Sequence, residues 1–128
     1  MISILIPCYN YDIVDLVKAL HKQLYITKKN FEIICAEDGS ANTFSNKNIK
    51  KLKNVQYIRL NKNVGRSKTR NYLAKKSKFK WLLFIDCDSK VVHDKFIENY
   101  IKQTCNENKI TYGKTIYQKQ KPRKNKIL

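Results

Sequence analysis

The chain has 128 residues, 42% of them hydrophobic and 11% aromatic, which is enough for one modest core and argues against disorder. No apolar run approaches the roughly 20 residues of a spanning helix and no charged region precedes residues 1–7, so neither membrane anchor nor secretion signal is expected, and the compartment expected is the cytoplasm. The net charge of +17 sits in two blocks, residues 59–80 with nine bases and no acid and residues 109–128 with seven and none, while Cys8, Cys35, Cys87 and Cys105 form no CxxC pair and are expected to be buried hydrophobes.

Residues 3–7 (SILIP) are a short apolar run closed by proline, which predicts a buried parallel strand. Over residues 12–25, Ile13, Leu16, Val17, Leu20 and Leu24 recur at helical spacing behind Asp12 and Asp15, predicting a helix with an acidic start. Residues 31–36 (FEIICA) predict a second buried strand, closed by the turn residues Glu37-Asp38-Gly39-Ser40; a weak helix is expected over 46–52 and a third strand over 55–60. Asn61-Lys62-Asn63-Val64-Gly65 breaks that strand before a Lys- and Arg-rich helix over 66–76. Residues 80–85 (KWLLFI) predict the fourth and most apolar strand, which stops at Asp86-Cys87-Asp88. Phe96, Ile97, Tyr100 and Ile101 mark another amphipathic helix, residues 109–117 a fifth strand, and 118–128 a basic, loose tail.

This βαβαβαβαβ order, with short connections and right-handed crossovers, predicts an α/β fold: a mostly parallel sheet with helices on both faces. The polar clusters at 7–10, 37–40, 61–65 and 86–88 each follow directly on a predicted strand, and that edge of such a sheet carries the ligand crevice. Asp86 and Asp88 point the same way if extended geometry persists, and a close pair of hard oxygen donors suits Mg²⁺ or Mn²⁺ shared with a diphosphate. Asp38 can accept a hydrogen bond from a pyrimidine imide or a ribose hydroxyl, although the same cluster is equally an Asx turn. Asn63-Val64-Gly65 opens a helix whose first N–H groups, with Arg66, Lys68 and Arg70, suit phosphate charge, the alternative being a solvated basic helix. His21 and His93 have no triad partner in view.

In series, Ser3-Ile4-Leu5-Ile6-Pro7-Cys8-Tyr9-Asn10, Glu37-Asp38-Gly39-Ser40, Asn63-Val64-Gly65 running on to Thr69-Arg70-Asn71, and Phe84-Ile85-Asp86-Cys87-Asp88 resemble the signatures of family 2 glycosyltransferases with the GT-A, Rossmann-like nucleotide-binding architecture. The resemblance implies that residues 1–117 are a donor-binding domain for a nucleotide-diphosphate sugar, a UDP-sugar being expected. It implies a nucleotide site of Pro7, Cys8, Tyr9, Asn10, Asp38, Gly65, Lys68, Arg70, Asp86 and Cys87, in which residues 7–10 and Asp38 cradle the nucleoside and Lys68 and Arg70 face the base or diphosphate. Asp86 and Asp88 are then the metal pair for Mg²⁺ or Mn²⁺, with Asp88 the direct ligand. Glu37, Cys8 and Thr69 depart from the usual Asp, Thr and Ala.

The same resemblance implies inverting transfer to a hydroxyl of a saccharide or lipid-linked acceptor. Its carboxylate base is expected beyond Leu128, because no Asp or Glu follows Glu107, and the acceptor half would follow residues 118–128. Residues 1–128 alone are accordingly expected not to transfer sugar, and peripheral contact with an anionic membrane is an expected interaction. Two rivals are weaker. A haloacid-dehalogenase-like phosphatase would need Thr or Val where Lys90 stands, and a basic nucleic-acid-binding α/β module leaves the acidic strand ends unexplained, so no specific nucleic acid is expected.

Overall fold

The computed structural model describes residues 1–105 and 109–117. Strands β1 (Ile2–Cys8), β2 (Phe31–Asp38), β3 (Val55–Leu60) and β4 (Trp81–Phe84) form one all-parallel sheet in the order β3-β2-β1-β4. The chain builds outward from β1 through β2 to β3, then returns to place β4 on the other side of β1. The order therefore reverses between β1 and β4, and their carboxyl ends diverge there.

Every residue of β1 and β2 is buried, which is why both read as unbroken apolar runs. The pleat sorts them: Ile2, Ile4, Ile6 and Cys8 enter the larger core with Phe31, Ile33 and Cys35, and Leu5 faces the other way toward Ile34, Ala36 and Leu73. Helix α1 (Val14–Ile26) covers the larger core with Leu16, Val17, Leu20 and Leu24, beside α3 (Phe96–Gln103), which buries Ile97. Helix α2 (Arg66–Lys76) packs on β1 and β2 over the smaller core, so the expected arrangement of helices on both faces is present. Asp12 Oδ1 accepts the Val14 N–H at 3.0 Å, giving α1 its acidic start.

Several expectations are corrected. The fourth strand expected over 80–85 is present but shorter: β4 covers Trp81–Phe84 and lies at an edge of the sheet with Leu82 39% exposed, among the described residues nothing pairing with its outer side. Residues 109–117 form no strand, and Ile110, Tyr112 and Ile116 are exposed, since alternation selects a face but a strand also needs a neighbour to bond. The weak helix is a 3₁₀ helix, Asn46–Lys51. Only Cys8 and Cys35 are buried, while Cys87 is half-buried and Cys105 exposed. The tail 118–128 lies outside the described residues.

Helix α2 carries so many bases that Thr69 and Leu73 are its only buried side chains. Leu73 is thus the one large side chain fully buried on a helix that presents arginines to the open edge of the sheet, with Tyr72 packed half-buried beside it. Leu73→Ala is expected to lower unfolding free energy by about 2–5 kcal/mol, through lost transfer energy and the cavity left behind. Urea unfolding checks this, and an unshifted midpoint would show that polar contacts alone seat α2.

Candidate functional site

Glu37 and Asp38 are adjacent at the end of β2, so the pleat sends their carboxylates to opposite faces of the sheet. Glu37 is wholly buried on the α1 side. Its Oε2 accepts the Tyr57 hydroxyl at 2.6 Å and the Asn46 amide at 3.2 Å, and its Oε1 accepts the Ser40 hydroxyl. Burial, reinforced by the Glu37 carboxylate, pushes the Tyr57 hydroxyl well above its ordinary value, which keeps it a donor. The donors relay the constraint onward. Asn46 donates to the Tyr11 carbonyl at 2.8 Å and accepts the Ile13 N–H at 3.0 Å, while Ser40 Oγ accepts the Asn10 N–H at 2.8 Å. The loop leaving β1 is therefore suspended from one buried carboxylate.

Asp38 fixes the opposite wall. Its two oxygens accept the Val64 N–H at 2.8 Å and the Gly65 N–H at 3.0 Å, and its carbonyl accepts the Asn63 side-chain amide at 3.1 Å. These bonds place a carboxylate at the amino end of α2, where the helix dipole favours it. Gly39 (φ +67°) passes so close to this loop that a Cβ would collide with the backbone of Lys62 and Asn63, and Gly65 (φ +93°) makes the bend into α2.

The third wall is the segment after β4. The extended geometry on which a shared direction of Asp86 and Asp88 depends does not persist: residues 87–88 form a turn, and the Ser89 N–H donates to the Asp86 carbonyl at 3.0 Å. Asp86 is clamped by Arg66 at 2.5 Å and Arg70 at 2.6 Å, and Arg70 lies over the Phe84 ring at 5.4 Å. Partial burial works to raise the Asp86 carboxyl, but the hydrogen bonds and charge of the two arginines outweigh it and hold the carboxyl below its ordinary value. The Asp88 carboxylate is exposed and makes no hydrogen bond or ion pair among the described residues. The Cys8 thiol donates to the Tyr11 carbonyl at 3.2 Å. Interaction with the Cys8 thiol draws Cys87 down to about 7, opposed by burial and aided by the Tyr9 backbone, and interaction with Cys87 raises Cys8 far above the usual thiol value, with burial adding to the rise.

These walls enclose a cleft of about 410 Å³ at the reversal between β1 and β4. Pro7, Cys8, Tyr9, Asp38, Gly65, Asp86, Cys87 and Asp88 line it together with Arg66. Asn10, Lys68 and Arg70 are not in its lining. Asn10 (φ +49°) shapes the β1 loop and accepts the Asn42 N–H, Lys68 is exposed on α2, and Arg70 stands behind Asp86. Asn63, Tyr11 and Thr69 also line the cleft: Asn63 and Thr69 fall in the segment marked at 63–71, Thr69 following Arg66 by three and so sharing its helix face, whereas nothing in the sequence marked Tyr11.

No cluster of three or more His, Cys, Asp or Glu side chains that could hold a metal ion occurs among the described residues. The donor set still fits Mg²⁺ or Mn²⁺ in one mode, since such ions take one or two carboxylates and complete their shell with water and phosphate oxygens. Asp88 is available for that mode as the chain stands, and Asp86 only by releasing its arginines. No helix among the described residues is long and apolar enough to cross a membrane.

Residues 3–127 match the family model described as glycosyl transferase family 2. An uncharacterized glycosyltransferase of Rickettsia bellii is 36% identical over 120 residues, covering 92% of this chain and 17% of that protein. The poly(ribitol-phosphate) beta-glucosyltransferase of Bacillus spizizenii is 33% identical over 120 residues, covering 88% of this chain and 19% of its own length. The chain thus spans about a fifth of the curated relatives it matches. The crystal structure of S. aureus TarS 1-349 in complex with UDP-GlcNAc superposes with a TM-score of 0.65 at 24% identity, covering 79% of this chain and 30% of that one, which establishes the shared fold.

Asp38 joins β2 to α2 with two charge-assisted bonds, so Asp38→Ala, which orphans the Val64 and Gly65 N–H groups, is expected to lose about 1–3 kcal/mol of stability. Asp38→Asn retains one acceptor oxygen and should lose less. Guanidinium unfolding of both variants checks the order; equal midpoints in Asp38→Ala and the parent would show that the helix entry is fixed by other contacts.

Proposed function

The chain belongs to glycosyl transferase family 2, and on that premise we propose that its cleft holds the nucleotide of a UDP-sugar, together with Mg²⁺ or Mn²⁺, for inverting transfer to a hydroxyl of a saccharide or lipid-linked acceptor. The observation that carries this reading is one cleft, at the reversal point of a parallel sheet, that brings the start of α2 and Arg66 against an uncommitted carboxylate, Asp88. A diphosphate bridges groups of those opposite charges when a divalent cation accompanies it. That a structural neighbour has been crystallised with UDP-GlcNAc favours uridine over other nucleosides.

In this reading Pro7, Cys8 and Tyr9 form the wall against the nucleoside, supported from beneath by Glu37 through Ser40 and Asn46. Asp38 uses one lone pair of each oxygen on α2 and keeps others for a ribose hydroxyl or a pyrimidine imide N–H. Arg66, whose side chain is 66% exposed, turns from Asp86 toward phosphate, while the less exposed Arg70 keeps Asp86 and the strand end in place. Held at Asp88, Mg²⁺ or Mn²⁺ offsets the charge that develops on the leaving diphosphate. The acceptor's base lies in the part of the longer relatives that this chain does not span. In support, Asp38 is committed to α2 and Asp86 to arginine, and Asp94 and Glu98 line a separate cavity beside α1.

UDP is expected to bind at least several-fold more tightly with Mn²⁺ than with EDTA, and uridine, lacking phosphates, to show little metal dependence. Asp88→Asn keeps the side-chain shape and removes the charge, so it should abolish the metal enhancement while the fold is retained, because this exposed carboxylate supports no other group. Titration calorimetry with and without Mn²⁺ decides the matter. Equal metal dependence in the variant and the parent would show that Asp88 is not a ligand.

A further inference from the structure

Both oxygens of Asp86 are already taken. Arg66 and Arg70 stand one turn apart on α2, so their side chains leave the same helix face, and each reaches a different oxygen: Arg66 Nη2 donates to Oδ2 at 2.5 Å and Arg70 Nη2 to Oδ1 at 2.6 Å. The two arginines are held to different degrees. Arg70 lies over the Phe84 ring at 5.4 Å and its Nε is buried without a partner, so this side chain is packed against the strand end. Arg66 is 66% exposed, and Asp86 is its only hydrogen-bond partner among the described residues. Arg66 is also the first residue of α2, so an anion drawn to that helix end arrives beside it. Asp88, two residues on, lines the same cleft with its carboxylate uncommitted.

We propose that Arg66 is a gate on the second carboxylate of the cation site: paired with Asp86 it keeps Mg²⁺ or Mn²⁺ from that group until the diphosphate of a nucleotide draws the guanidinium away, so that cation and nucleotide enter the cleft together and neither binds well alone. The proposal rests on the nucleotide reading above and adds the residue that couples the two ligands. The exchange keeps every charge paired. Arg66 gives up the carboxylate for a phosphate oxygen, and Asp86 gives up the guanidinium for the cation, while Arg70 stays in place. Half of the exchange is unfavourable by itself. A cation alone gives Arg66 no other anion to turn to, and a diphosphate alone would leave Asp86 short of one partner and facing a second anion. The coupling is reciprocal, so the factor by which UDP tightens the binding of Mn²⁺ equals the factor by which Mn²⁺ tightens that of UDP.

The first arm of the test needs no nucleotide. Mn²⁺ alone is titrated into the full chain and into Arg66→Gln, and the bound ion is counted from the loss of the electron paramagnetic resonance signal of free Mn²⁺. Arg66→Gln is expected to bind Mn²⁺ about fivefold more tightly, the factor that matches an exposed ion pair at the upper end of its usual worth. Arg66→Ala repeats the measurement without a side-chain amide that can itself bond Asp86. Adding Asp86→Asn to either variant should remove the gain, because the gain comes from the carboxylate set free. An affinity unchanged by both Arg66 substitutions would overturn the gate, and so would a gain that survives Asp86→Asn, which would be plain relief of positive charge near Asp88. The second arm measures UDP with and without Mn²⁺ by calorimetry, and the enhancement by Mn²⁺ should be smaller in Arg66→Gln than in the parent by a similar factor. An equal enhancement in both would overturn the claim that Arg66 carries the coupling. If UDP binds neither protein under any condition while Mn²⁺ alone still binds more tightly to Arg66→Gln, the nucleotide reading fails and the block that Arg66 places on Asp86 stands.

Discussion

Glu37 carries a carboxylate into the interior, where an ionised group is costly unless its oxygens are bonded, and three donors meet that requirement. The donors come from separate pieces of chain: Tyr57 from β3, Asn46 from the 3₁₀ helix and Ser40 from the turn after β2. Satisfying one carboxylate therefore fixes three segments relative to the sheet. Two of those donors pass the constraint on to the loop that leaves β1, so the wall at residues 9–13 owes its position to a group on the next strand. Asp38, pointing the other way from the adjacent position, does the same for α2. The two walls of the cleft are positioned by consecutive residues of a single strand.

The charge of the chain and the charge of the cleft are separate matters. Lys62, Lys68, Lys75, Lys76 and Lys78 are exposed, and none lines the cleft. Within it, Arg66 stands against Asp38, Asp86 and Asp88, with Arg70 behind Asp86, so the lining is locally acidic although the net charge is +17. An apolar or a uniformly basic cleft would select by shape or by charge alone. This one presents both signs at fixed positions, which suits a ligand that brings an anion and a cation together.

Much of the fold was legible because burial imposes composition. Strands β1 and β2 are sealed on both faces and read as continuous apolar runs, and α1 buries one stripe and reads as a 3.6-residue period. What was not legible depends on neighbours. The run at 80–85 is as apolar as β1, yet β4 is an edge strand, and the alternation at 109–117 finds no strand to pair with among the described residues. At the site, Asp38, Asp86 and Asp88 were marked by their place just after strands. The arginine clamp on Asp86 was not, because it needs the relative placement of α2 and β4, and neither was Glu37, because a sequence shows an acid at a strand end without showing which face it takes.

The contact at Gly39 bears on how this part of the chain tolerates change in length. The turn after β2 and the loop after β3 touch backbone to backbone there, with no room for a single methyl group between them. An insertion in either loop would have to lift both, and would carry the amino end of α2 with it. The neighbouring stretch at 41–45 is exposed at four of its five positions; its Asn42 N–H donates to the Asn10 side chain, while the Asn42 side chain accepts the Phe44 N–H within the stretch itself. Length variation on this edge of the molecule is therefore steered into residues 41–45, while the spacing from Asp38 to Gly39 and from Lys62 to Gly65 is held fixed by contact.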